Sequence, residues 1–210
     1  MNRRRTAAVA LAVSAVAALS ACSSTAHPGA AAVVGDQRIT VSTLQAHVNA
    51  YRAAATATGA EQSAGASANV LSLLVNAQLV DQALTAQGKS VTEGEVQQTE
   101  AADLQQFGTA QDLQTAIITK LAIAPSDFDT FVRYEIGQEL LLQQAGVDPT
   151  SASAGSALQG IMQKAAGNVG VTVNPRYGSW SAKATSDTAW PPLAAAKQPW
   201  LKAEPAAATS

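Results

Sequence analysis

Apolar residues recur along this chain with two different periods, and the change from one to the other marks its elements. Ala31-Ala32-Val33-Val34 and Ile39 flank Gly35-Asp36, a dipeptide suited to a two-residue turn, and this pattern predicts a small β-hairpin. From Val41 the period lengthens. Val41, Leu44, Val48, Tyr51 and Ala55 follow at steps of three and four, the stripe of a helix that Thr40 or Ser42 can cap and that ends near Thr58-Gly59. Residues 60–66 read as a loop. A second helix over about 67–87 sets Val70, Leu73, Leu74, Ala77, Val80 and Leu84 on one face and Leu71 and Leu79 on another. A helix apolar on nearly every side belongs in the middle of a bundle. Gly88 is its predicted C-terminal cap.

Thr92-Glu93-Gly94-Glu95 has the spacing of a capping box and opens a shorter helix carrying Val96, Leu104 and Phe107. Thr109 caps another, with Leu113, Ala116, Ile117 and Leu121 predicted to face inward. Pro125-Ser126-Asp127 starts the most regular helix, in which Phe128, Phe131, Val132, Ile136, Leu140 and Leu141 keep a helical period until Gly146. Beyond the Asp148-Pro149 break, a sixth helix over about 154–166 uses Leu158, Ile161, Met162 and Ala165, weakened by Gly155 and Gly160. Val171-Thr172-Val173 alternates like a short strand. From Ser181 to Ser210, prolines and alanines with few apolar anchors predict a loose tail, in which Trp190 and Trp200 can dock locally. No internal repeat is present.

The first residues change the picture. Arg3, Arg4 and Arg5 precede a run from Thr6 to Ala21 without a charge, the layout of a secretory signal. The run is shorter than the roughly 20 residues that a spanning helix needs. It ends in Leu19-Ser20-Ala21-Cys22, which resembles the lipobox of bacterial lipoproteins. That resemblance implies cleavage before Cys22 and lipid, palmitate included, on its thiol. Several acyl chains give durable anchoring, so the mature protein is expected to be tethered to the outer face of the cell membrane rather than embedded in it. Cys22 is the only cysteine, which excludes a disulfide within the chain.

The expected organisation is therefore a signal peptide over 1–21, a flexible spacer over 22–30, one domain over 31–180 and a tail over 181–210. Without the signal, ten basic and fifteen acidic residues remain, a net charge of −5. Such a balance argues against nucleic acid or an anionic lipid surface as partner. The heavy use of alanine is compatible with a GC-rich genome and points to an actinobacterial cell surface.

Catalytic chemistry leaves few traces. The two histidines are His27, in the spacer, and His47, on the first helix between stripe positions, and both read as solvated or packing residues. A histidine-based metal site or triad is not expected, and lipid on Cys22 removes the one thiolate. Gly88-Lys89-Ser90 resembles the end of a phosphate-binding loop. The earlier glycine that such a loop requires is Ala83, and the preceding pattern is helical, so a helix cap is the better reading. Neither nucleotide nor any other cofactor is expected. Glu93, Glu95 and Glu100 gather at a helix start, where carboxylates favour the positive end of the dipole.

Val33-Val34-Gly35-Asp36-Gln37-Arg38-Ile39-Thr40 resembles the short hairpin that leads into helix one of SurA-type N-terminal chaperone domains. Val173-Asn174-Pro175-Arg176-Tyr177-Gly178-Ser179-Trp180 resembles their closing segment. The resemblance spans residues 31–180. It implies a mainly α domain of five to six helices, with a small β element pairing the N-terminal hairpin and the C-terminal segment. It also implies that the chain binds unfolded or partly folded secreted proteins without nucleotide.

Many members carry a parvulin-type prolyl isomerase domain between the long fifth helix and the closing helix. Here that space is only Val147 to about Ser153, too short for a domain on the order of a hundred residues, so no enzymatic activity is expected. A membrane-tethered holdase is the leading expectation; a scaffold lipoprotein of the envelope and a prolyl isomerase are its alternatives. Phe128, Phe131 and Tyr134 are the candidates for client binding, with service in the core as their other reading.

Overall fold

The computed structural model describes residues 28–182 and 190–195. Gly35-Asp36 turns the chain between strand β1 (Ala30–Val34) and strand β2 (Gln37–Thr40), which pair antiparallel. Ala30 already belongs to the strand, so the spacer ends before it rather than at it. The Thr40 side chain accepts a hydrogen bond from Thr43 N at 3.0 Å and starts helix α1 (Val41–Thr58), whose buried residues Leu44, Val48, Tyr51 and Ala55 are the predicted stripe.

Helix α2 (Ala66–Thr85) runs through the middle of the core, with Val70, Leu71, Leu73, Val75, Leu79, Val80 and Leu84 all buried. Its end is closed by Lys89 N–H on Leu84 O and Gly88 N–H on Thr85 O, with Gly88 at φ +67°. These bonds satisfy carbonyls that the helix leaves unpaired, and they place Gly88-Lys89 in a helix cap. Helix α3 (Glu93–Phe107) opens with the full Thr92–Glu95 capping box. Val96 is buried beneath it, whereas Leu104 is 40% exposed.

Thr109 caps helix α4, but the α-helical part is only Ala110–Ala116 and continues as a π-helical turn over Ile117–Leu121. The side chains of Thr115 and Thr119 donate to the carbonyls of Gln111 and Thr115, a back-bonding that bends helices and accompanies the wider turn. Ala122 ends it at φ +52°, the one non-glycine residue with positive φ among the described residues.

A 3₁₀ turn over Pro125–Asp127 leads into helix α5 (Phe128–Gln144), which packs along α2. A Cβ at Gly137 would run into Val80 Cγ1, so glycine is what allows the two helices to come this close. Helix α6 (Ala154–Val169) runs three residues past its predicted end and leads into strand β3 (Val171–Val173).

β3 pairs antiparallel with β1, giving the sheet order β2-β1-β3, with Val34 opposite Val171 and Ala32 opposite Val173. The two ends of the domain therefore close on one another. Gln82 of α2 ties this sheet to the helices by donating to Val34 O at 2.7 Å.

Of the loose tail expected from residue 181, residues 190–195 pack onto the domain, with Trp190 docking as its expected local anchor, and Trp200 lies outside the described residues. Trp190 is 3% exposed, Leu193 8% exposed, and Ala194 forms an antiparallel bridge with Ser179. The reason is local: Trp190 finds an aromatic neighbour in the core and Pro191 O finds buried donors, which outweigh the tail's overall composition.

Candidate functional site

A cleft of about 160 Å³ opens where the end of α3, the α4–π segment and the start of α5 meet. The capping of α3 and α4 fixes how these elements enter, and the π turn presents Ile117 and Leu121 to the cleft while Ile118 is buried in the core. Ile117 is buried, while Phe107, Leu113 and Leu121 are half-buried walls. Phe128 and Phe131, one helical turn apart on α5, form the floor with ring centroids 6.0 Å apart. Lys120 Nζ lies 5.7 Å from the centre of the Phe107 ring.

The polar rim carries Asp103, Glu135 and Lys120. Glu135 stands on the exposed edge, where desolvation by the cleft walls, followed by the negative charges of Asp103 and Glu139, pushes its carboxyl up to about 7. Desolvation also raises the Asp103 carboxyl. A mostly apolar hollow with a few charged groups at its edge has the composition of a binding site.

Phe131 also faces a second groove, and there the structure holds an occupant. The Trp190 ring packs against Phe131 at 5.7 Å with an interplanar angle of 59°, and Trp190 Nε1 donates to Asn69 O at 3.2 Å. Asn69, Ser72 and Asn76 form a polar stripe along α2, and Ser72 and Asn76 are wholly buried. Ser72 Oγ donates to Pro191 O, and Asn76 Nδ2 donates to the same carbonyl at 3.3 Å and to Ser72 O at 2.9 Å. Trp180 Nε1 completes the set by donating to Asn76 Oδ1 at 3.0 Å. Asn69 Nδ2 reaches the other way, to Leu121 O at 2.8 Å and Ala122 O at 3.2 Å, which secures the end of the π turn.

Of the three candidates named from sequence, Phe128 and Phe131 come together in the open cleft and Tyr134 does not. Tyr134 lines a separate hollow with Gln78, Val80, Leu84, Val91 and Arg133. Its hydroxyl is raised above the ordinary tyrosine range, chiefly by burial and then by the charge of Glu135. Arg133 pairs with Asp129 at 2.9 Å and with Glu93, joining α3 to α5. Cys22 and His27 lie outside the described residues.

His47 has a partner that its position between stripe residues did not suggest. Its Nδ1 is 2.7 Å from Oδ1 of Asp127, which is 4% exposed, and Asp127 Oδ2 is buried with no hydrogen-bond partner. Asn69, Ser72, Asn76, Trp180 and Trp190 were not singled out from the sequence as site residues. The available signal was the 69, 72, 76 spacing of polar side chains on one face of an otherwise apolar helix, where each polar group demands a partner once buried. Among the described residues no group of three histidine, cysteine, aspartate or glutamate side chains is placed to hold a metal ion. No described helix is long and apolar enough to cross a membrane.

A helical domain whose first and last segments share one small sheet, with an apolar cleft among its helices, defines the class of fold. The SurA-like N-terminal domain family matches residues 3–117, more than half of the chain, and the chain belongs to this family. No curated protein and no solved structure matches the chain. The match ends at the start of the π turn, so the floor of the cleft on α5 and the closing elements lie beyond it. They nonetheless form one hydrophobic core with the matched part.

Proposed function

We propose that this chain is a nucleotide-independent chaperone that holds unfolded exported polypeptides, and that it works tethered to the outer face of a cell membrane through lipid on Cys22. The observation that carries the chaperone reading is the open cleft over Phe128 and Phe131. It offers half-buried apolar walls to a client side chain. Family membership supports a role connected with protein folding. Helices α5 and α6 are joined by residues 145–153 alone, which leaves no space for an inserted isomerase domain and favours a non-enzymatic role.

The chain from Ser23 onward should slow aggregation of an unfolded secreted protein without nucleotide. It should leave the cis–trans rate of a proline peptide at its slow uncatalysed value. Leu113→Glu, in the half-buried wall, should weaken suppression roughly tenfold, equivalent to about 1.4 kcal/mol of lost apolar binding, with cooperative melting retained. Absence of both suppression and peptide binding in a folded preparation would favour a scaffold role, and catalysed isomerisation would restore the enzyme reading.

Anchoring has its own measurement. Cys22→Ala should abolish incorporation of labelled fatty acid and release the protein from the membrane fraction, because Leu19-Ser20-Ala21-Cys22 is the only lipid-accepting pattern in the chain. Label retained by the alanine variant would rule the tether out.

A further inference from the structure

We infer that the groove along α2 that holds Trp190–Leu193 is a second peptide-binding site, built for extended segments in which an aromatic residue is followed by proline, and that the chain fills it in cis with its own segment. Three features of the groove are those of a peptide receptor. The first is a carbonyl clamp: Ser72 and Asn76, both wholly buried, converge their donors on Pro191 O, a backbone atom that every peptide carries. The second is an aromatic pocket, in which Trp190 packs against Phe131 and donates its ring N–H to Asn69 O. The third is an isolated antiparallel bridge to the backbone, in which Ala194 N donates to Ser179 O at 2.8 Å and Ser179 N to Ala194 O at 3.1 Å.

The prolines fit the same logic. Neither Pro191 nor Pro192 has a backbone N–H, so the groove, whose Ser72 and Asn76 side chains donate to this stretch, takes it without stranding a backbone donor. At Gly178 a Cβ would collide with Ala194 O, so the groove wall is kept open for the close approach of an extended backbone. Recognition rests on one carbonyl, one ring and one pair of bridge bonds, and a peptide from another chain can reproduce all three.

A tethered occupant competes at an effective concentration on the order of millimolar, so the groove of the intact chain should be largely closed to external peptide. The site is distinct from the open cleft, with which it shares Phe131. It is read by direct binding rather than by aggregation, so either reading can fail while the other stands.

The test uses the full chain and a fluorescein-labelled peptide with the sequence of residues 188–195, followed by fluorescence anisotropy. Trp190→Ala protein should bind this peptide at least about tenfold more tightly than the unaltered chain, as loss of a cis competitor requires. A peptide with alanine in place of its tryptophan should bind neither. Equal affinity for both proteins, or no binding to a Trp190→Ala protein that melts cooperatively, would overturn the inference and make the segment an integral part of the core. Should Trp190→Ala fail to fold, hydrogen exchange in the unaltered chain decides. Excess peptide should accelerate exchange of the Ala194 amide by displacing it from Ser179, and an unchanged rate at saturating peptide would overturn the proposal.

Discussion

Glu135 joins the chemistry of the cleft to the stability of the fold. Its carboxyl is raised from 4.5 to about 7, first by desolvation and then by Asp103 and Glu139. The folded chain therefore retains a proton that the unfolded chain has already released. Below about 4.5 both states are protonated and the position has no cost; stability is lost as pH rises from there through about 7, and the loss is complete above it. Glu135→Gln should flatten that part of the stability profile and raise the urea midpoint at pH 8 more than at pH 5. Parallel profiles for variant and unaltered chain would show that the carboxyl is not desolvated.

Single residues were also where the sequence was hardest to read. Phe128, Phe131 and Tyr134 were named together as candidates, but the sequence could not separate the two that share the cleft from the one that does not, because all three lie within two helical turns. Ser72 and Asn76 were hidden for a different reason. Their partner Pro191 O is more than a hundred residues away, and a local pattern carries no information about so distant an acceptor.

Elements were more legible, and the residues responsible can be named. Gly35-Asp36 between the apolar pieces Ala31–Val34 and Ile39 marked the hairpin, and Thr40, Thr92 and Thr109 marked three helix starts through side chains that accept from backbone N–H groups. Each of these signals is local, with cause and effect within four residues. The α4–π segment is the counterexample. Leu113, Ala116, Ile117 and Leu121 keep a helical spacing, so the pattern predicted one regular helix; the change to a π turn at Ile117 comes with the threonine back-bonds and with Asn69, a residue of another helix, gripping the carbonyls of Leu121 and Ala122. The consequence is functional geometry. Leu121, at the end of the π turn, lines the cleft, and such turns are frequent at functional sites.

At the scale of the whole molecule, the organising fact is closure, since the last described elements complete surfaces that the first ones leave open. β3 covers one edge of β1, and Asn174 extends the pairing by donating from its backbone N–H to Ala31 O at 2.9 Å. The segment at 190–195 instead fills a groove on α2, whose polar donors water can satisfy when the groove is empty. These two kinds of closure predict different responses to truncation. A chain ending at Ala182 loses the burial of Trp190, roughly 3 kcal/mol for a large aromatic side chain, and should still melt in one cooperative transition, about 6–12 °C lower. A chain cut before Leu158 also loses most of α6 and all of β3. It removes Met162 and Ala165, which uncovers the apolar surface of α2 and α5 that α6 packs on, leaves one edge of β1 unpaired, and should show no cooperative transition. Differential scanning calorimetry of the two truncated chains separates the cases. Cooperative melting of the shorter chain at the original temperature would mean that α6 and β3 are appended to an independently stable core; collapse of the longer one would mean that the Trp190 segment is part of that core and no displaceable occupant.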